Sequence, residues 1–172
     1  AQHLRRVMPE SLLPRDIVAL AERVIAENRA IGRTVALAES CTGGLVAAAL
    51  TEIAGSSAVL DRGFVTYSNE SKREMLAVSE VILDTFGAVS LATVWAMAQG
   101  ALANSNADIA VAISGVAGPD GGSEQKPVGT VVFARALRGS EEVDAEERLL
   151  GGSSRAAVRR QATLVALELL LP

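Results

Sequence analysis

Thr34-Val35-Ala36-Leu37-Ala38-Glu39-Ser40-Cys41-Thr42-Gly43-Gly44 is the stretch that decides the architecture. Val35 to Ala38 are contiguous apolar residues ahead of Glu39 and Ser40. A run without polar alternation implies a strand covered on both faces, as in a parallel sheet. Gly43 and Gly44 then lead into an alanine-rich helix from Leu45 to about Ile53. Strand, glycine turn and helix in that order are a unit of an α/β protein.

The same grammar continues on both sides. Leu13, Ile17, Leu20 and Val24 recur at helical spacing, with Pro14 suited to the first turn. Val59 to Tyr67 reads as a second strand, followed by a short helix around Ser71 to Leu76. Ser90 N-caps a helix to about Asn104 that carries Trp95, whose simplest place is the core. Asp108 to Ile113 is a third buried strand, and Thr130 to Leu137 and Val143 to Leu150 are two more, joined at Arg138-Gly139-Ser140. Ser153 to Leu170 closes the chain as a helix. Alternating helices and strands predict a three-layer α/β/α sandwich. Residues 12–172 are expected to form a single domain behind a flexible tail, residues 1–11.

Composition narrows the function. With 49% hydrophobic but only 3% aromatic residues, the chain has a core yet too few rings for a base-stacking surface. A net charge of −4 disfavours nucleic-acid and anionic-membrane partners. No apolar run is long enough to span a bilayer, and the start lacks the apolar block of a signal peptide. Cytoplasm is the expected compartment. The one histidine, His3, and the one cysteine, Cys41, cannot make a Cys/His metal cluster or a Ser-His-Asp triad. An acid-only site for a hard cation stays open, but no clustered Asp/Glu motif suggests one, and no metal or other cofactor is expected. Proton transfer must then fall to a carboxylate, tyrosine, lysine or water. Of 16 basic residues only Lys72 and Lys126 are lysines, and a lysine can deprotonate where an arginine cannot.

Ligands in open α/β sheets collect at strand carboxyl ends. Two such ends here carry hydroxyl-and-glycine loops: Ser40-Cys41-Thr42-Gly43-Gly44, and Ser114-Gly115-Val116-Ala117-Gly118-Pro119 at the head of a long loop to Gly129. Such a turn exposes a serine oxygen beside free amides that suit an oxyanion or a phosphate. Equally, Ser40 could simply cap the next helix. Tyr67 and Lys72 stand five positions apart: a partly desolvated Lys72 could be a general base, or a solvated lysine at a helix start. Lys126 reads as a loop charge, and Cys41 as a buried filler rather than a nucleophile. Arg155, Arg159 and Arg160 open the last helix, where cations are electrostatically misplaced unless they face solvent or bind an anion.

Taken together, AESCTGG (Ala38 to Gly44), TYSNESK (Thr66 to Lys72), GAVS (Gly87 to Ser90), SGVAGPDGGSEQKPVGTV (Ser114 to Val131) and the Gly-x-x-Arg-x-x-x-Arg-x-Gln-Ala tail (Gly152 to Ala162) resemble the CinA C-terminal domain family, in its stand-alone form. The resemblance spans about Leu12 to Leu170. It implies a mixed, mostly parallel five-stranded sheet. It also implies hydrolysis of nicotinamide mononucleotide to nicotinate mononucleotide and ammonia by a metal-independent serine mechanism. In that mechanism Ser40 is the nucleophile and Lys72 its base, relayed through Tyr67, with glycine-loop amides and the Ser114 hydroxyl on the oxyanion. Thr42, Gly43, Gly44, Ser114, Gly115, Gly118 and Arg155 are the substrate-binding and oxyanion positions. Ser114 stands where relatives often have threonine, and Leu91-Ala92 where they often have an acidic residue. The expected partner is a small-molecule nucleotide, with a homodimer or higher homo-oligomer as the assembly. The alternatives are a nucleotide-binding module without chemistry and an amidase for another nucleotide.

Overall fold

The apolar strands alternate after all, in volume rather than polarity. Val35, Leu37, Ile109, Val111 and Ile113 face one side of the sheet, while Ala36, Ala38, Ala110 and Ala112 face the other. In a strand successive side chains point to opposite faces, so one face is built of branched aliphatics and its opposite of methyl groups. The computed structural model describes residues 10–172; His3 and residues 1–9 of the expected tail lie outside them.

The elements run α1 (Arg15–Ala30), β1 (Val35–Glu39), α2 (Leu45–Thr51), β2 (Leu60–Val65), α3 (Asn69–Leu76), α4 (Glu80–Phe86), α5 (Leu91–Ala103), β3 (Ile109–Gly115), β4 (Thr130–Leu137), β5 (Val143–Leu149) and α6 (Arg155–Leu169). The sheet order is β2-β1-β3-β4-β5. β1 pairs in parallel with both β2 and β3, whereas β4 is antiparallel to β3 and to β5. Four strands therefore share a direction and β4 opposes them, as expected of a mixed, mostly parallel sheet. The large-residue face is covered by α1, α2 and α6, through residues such as Val24, Leu50 and Val158. On the alanine face lie α3, α4 and α5, through Leu76, Leu83 and Met97.

The small residues of that second face let backbones approach. Gly100 in α5 lies so close to α3 that an added Cβ would stand 2.1 Å from the Leu76 carbonyl oxygen. This contact fixes the C-terminal end of α3, and Lys72 lies one turn earlier on the same face. The crossover from β1 to β2 uses α2 on one side of the sheet, while that from β2 to β3 uses α3 to α5 on the other. The carboxyl ends of β1 and β3 thus form a topological switch point, where a crevice opens.

Several boundaries move. β2 stops at Val65, leaving Thr66 and Tyr67 beyond the strand, and α3 starts at Asn69 with the Ser68 hydroxyl accepting from the Ser71 amide at 3.0 Å. The helix α4, N-capped by Ser79, was not expected. Trp95 is not core: 44% of it is exposed, on the outer side of α5.

Candidate active site

Ser40 follows β1 and keeps the sheet going for one residue, its amide donating to the Ile113 carbonyl at 3.0 Å. Its hydroxyl meets the Lys72 ammonium: Nζ to Oγ is 2.9 Å. The other polar neighbours of Nζ are the carbonyls of Thr66 at 2.8 Å and Tyr67 at 2.9 Å. Lys72 is only 1% exposed, which removes the reading of a solvated helix-start lysine. Burial disfavours its cation and lowers its pKa to about 8.

These three neighbours dictate what Lys72 does in each state. Carbonyls only accept, so Thr66 and Tyr67 occupy two amine hydrogens. Once the third proton is lost, the lone pair falls toward Ser40, whose hydroxyl then donates. The arrangement is a serine beside a desolvated amine, the geometry of a nucleophile with its general base. Tyr67 contributes to this contact through its backbone; the residue is 63% exposed and its hydroxyl accepts from Arg155.

Ser40 does not cap α2. The N-cap is Gly44, in the left-handed region at φ 100°, and no side chain of that residue type can cap. Glu39 does the work from the preceding strand. Its buried carboxylate accepts from the Thr42 hydroxyl at 2.7 Å, the Val46 amide at 3.0 Å and the Ala47 amide at 3.1 Å. The first amides of α2 are therefore not free for a ligand. Within the turn, the Gly43 amide donates to the Ser40 carbonyl at 3.0 Å. Among the described residues, the amides of Cys41, Thr42 and Gly44 donate to no other residue, and the Cys41 amide lies against its own thiol. The Cys41 thiol is buried, and burial raises its pKa to about 11, so it is a poor nucleophile.

A cavity of about 160 Å³ opens above this turn, lined by Ser40, Cys41, Tyr67, Lys72, Ala88, Val89, Ser114, Gly115, Ala117 and Arg155. Ser114, the penultimate residue of β3, lies on the same face of the sheet as Ser40, because Ala38 pairs with Ala112 in the parallel register. Its hydroxyl donates to the Ala88 carbonyl at 2.8 Å, tying β3 to the Gly87–Ser90 loop. Gly115 packs against β4, where a Cβ would stand 2.8 Å from Val131 Cγ2. Gly118 lies in the left-handed region at φ 78°, and its carbonyl accepts from Arg155 Nη1 at 2.7 Å. Arg155 Nη2 donates to the Tyr67 hydroxyl at 3.2 Å, so one guanidinium joins two walls of the cavity mouth.

The basic start of α6 divides into three jobs. Arg155 lines the cavity, Arg160 pairs with Asp16 at 2.9 Å, and Arg159 donates to the Cys41 carbonyl at 3.1 Å. Lys126 pairs with Glu147 and stays out of the cavity lining. Sequence reading missed Glu39 and placed Arg159 on a solvated face or an anion; both instead hold the turn, from below and behind. Glu39 did leave a signal: a carboxylate closing a fully apolar strand must find donors once buried. Among the described residues, no three His, Cys, Asp or Glu side chains gather as a metal site would require, and no helix is long and apolar enough to cross a membrane.

This serine turn, lysine and glycine loop sit within a match between residues 17–172 and the sequence profile of the CinA C-terminal domain. The chain belongs to the CinA C-terminal domain family. Within it, the chain is 55% identical over 155 residues to nicotinamide-nucleotide amidohydrolase PncC of Escherichia coli strain K12, covering 90% of this chain and 93% of that protein. A CinA-like protein of Shewanella woodyi is 44% identical over 167 residues, which are 97% of this chain but 39% of that one. The crystal structure of competence/damage inducible protein CihA from Agrobacterium tumefaciens superposes with a TM-score of 0.90 at 53% identity, over 94% of this chain and 97% of that one. The CinA superfamily protein from Klebsiella pneumoniae 700603 gives 0.85 at 42% identity, over 90% and 94%. The family's sheet is thus the sheet described above.

Proposed function

We propose that residues 12–172 act as one amidohydrolase domain that converts nicotinamide mononucleotide and water to nicotinate mononucleotide and ammonia. The activity named for the Escherichia coli relative supports the substrate. The observation that carries the chemistry is the Lys72 amine at 2.9 Å from Ser40 Oγ, with two carbonyls holding its other hydrogens.

Neutral Lys72 takes the Ser40 proton as Oγ bonds to the carboxamide carbon. The oxyanion is held by the Cys41 and Thr42 amides, turn donors next to Ser40 that no other residue engages. On collapse the C–N bond breaks, the nitrogen takes the proton from Lys72, and ammonia leaves. Water then adds to the acyl ester, giving its proton to Lys72. The Ser40–carbon bond breaks, and that proton returns to Oγ. Arg155, at the cavity mouth with three of its five N–H donors uncommitted, holds the nucleotide phosphate. The unpaired Cys41 suits a reducing compartment, the cytoplasm.

The test is ammonia release from nicotinamide mononucleotide by the purified protein, with nicotinate mononucleotide identified as the co-product and a chelator present throughout. Equimolar ammonia and acid support the reading. Release of free nicotinamide, or no reaction, overturns it.

A further inference from the structure

Ser114 has one hydroxyl hydrogen, and the structure spends it. The Ala88 carbonyl, 2.8 Å away, can only accept, so the hydrogen lies on that line. Ser114 is 1% exposed, lines the reaction cavity and stands beside Ser40 on the same face of the sheet. Toward a bound substrate it therefore offers lone pairs and no hydrogen. A group that only accepts repels an oxyanion and attracts an N–H.

Resting on the amidase reading above, we propose that Ser114 is the residue that selects a carboxamide, by accepting a hydrogen bond from its –NH₂ group. The oxyanion belongs to the turn amides, on the Ser40 side of the cavity. With one N–H held by Ser114, the C–N bond is fixed in rotation, and the nitrogen lone pair that develops in the tetrahedral intermediate faces Lys72, the proton donor. After the C–N bond breaks, the product carboxylate presents only oxygen lone pairs to Ser114, which favours its release. An ester of the same acid has no hydrogen to give and gains nothing from this contact. Turning the Ser114 hydrogen toward an oxyanion instead would take the donor away from the half-buried Ala88 carbonyl.

The experiment compares nicotinamide mononucleotide with the methyl ester of nicotinate mononucleotide in wild type, Ser114→Ala and Ser114→Thr. The expected result is a fall of about tenfold or more in the amide-to-ester ratio of kcat/KM for Ser114→Ala, the size of one lost hydrogen bond to a reacting group. Ser114→Thr, which keeps the hydroxyl, restores the ratio. Amide and ester rates falling together in Ser114→Ala would overturn the proposal and make Ser114 an oxyanion donor or a wall of the cavity. The substrate assignment fails separately: if the wild type hydrolyses another nucleotide carboxamide instead, the same ratio is read on that amide and its ester. A wild type that cleaves the ester but no carboxamide overturns both.

Discussion

With Lys72 as the proposed base, its protonation sets the pH behaviour of the site. Only its neutral form has a lone pair for Ser40, and burial places the change at about pH 8, below the usual lysine value of 10.5. The charged form predominates below that pH and is the inactive one, so kcat/KM should rise with pH through a single limb near 8 and level off above it. At pH 7 about a tenth of the protein holds the base in working form. Rates from pH 6 to 10 on the mononucleotide check this; a limb near 6, or a flat profile, would point to a different base. Lys72→Arg should be inactive at every pH, since arginine does not deprotonate. Little of this was readable beforehand. The sequence shows Lys72 in a polar segment after a strand, equally compatible with a solvated helix start. Its burial comes from α3 lying against Gly100 of α5, a contact between segments far apart in the chain.

At the scale of elements, the turn after β1 is held by Glu39 rather than by its own glycines alone. Three donors converge on one carboxylate, two on Oε1 and the Ala47 amide on Oε2. Glu39→Gln keeps the first oxygen but sets an –NH₂ group against the Ala47 N–H. Losing that bond inside a buried site costs about 1–3 kcal/mol, or a few degrees of Tm in a chain of this size. Calorimetry should show that drop, and kinetics should show a lower kcat with little change in KM, because the loosened turn carries the proposed nucleophile and oxyanion amides. Equal stability and unchanged kcat would mean the carboxylate is a bystander. The main strands were legible as elements, because apolar runs bounded by Gly, Pro and Ser have few alternatives. Their two-faced alternation was also present, in Val-Ala-Leu-Ala and Ile-Ala-Val-Ala-Ile, but only as a difference in volume. The helix Glu80–Phe86 is too short for its period to show, although Ser79 and Gly87 mark its ends. Trp95 misled because an aromatic in an apolar helix reads as core, whereas the alanine face of the sheet leaves no room for it.

Across the whole molecule, the site exists because five distant segments meet at the switch point: the β1 turn, the start of α3, the Gly87–Ser90 loop, the β3 loop and the start of α6. Arg155 closes this assembly by bonding Gly118 and Tyr67 across the mouth. If it also holds phosphate, Arg155→Ala should raise KM for the mononucleotide by about 10- to 100-fold, the worth of a charge-assisted contact, with little change for the dephosphorylated riboside. An equal loss on both substrates would mean that the arginine braces the mouth rather than reading the phosphate. The central claim is that Ser40 forms the bond to the carboxamide carbon, and the most direct test is the rate of ammonia release from nicotinamide mononucleotide by Ser40→Ala, with circular dichroism confirming the fold. A loss of at least about 10⁴-fold is expected, the scale seen when a covalent nucleophile is removed. A Ser40→Ala protein that keeps its fold and turns over within tenfold of wild type would contradict it.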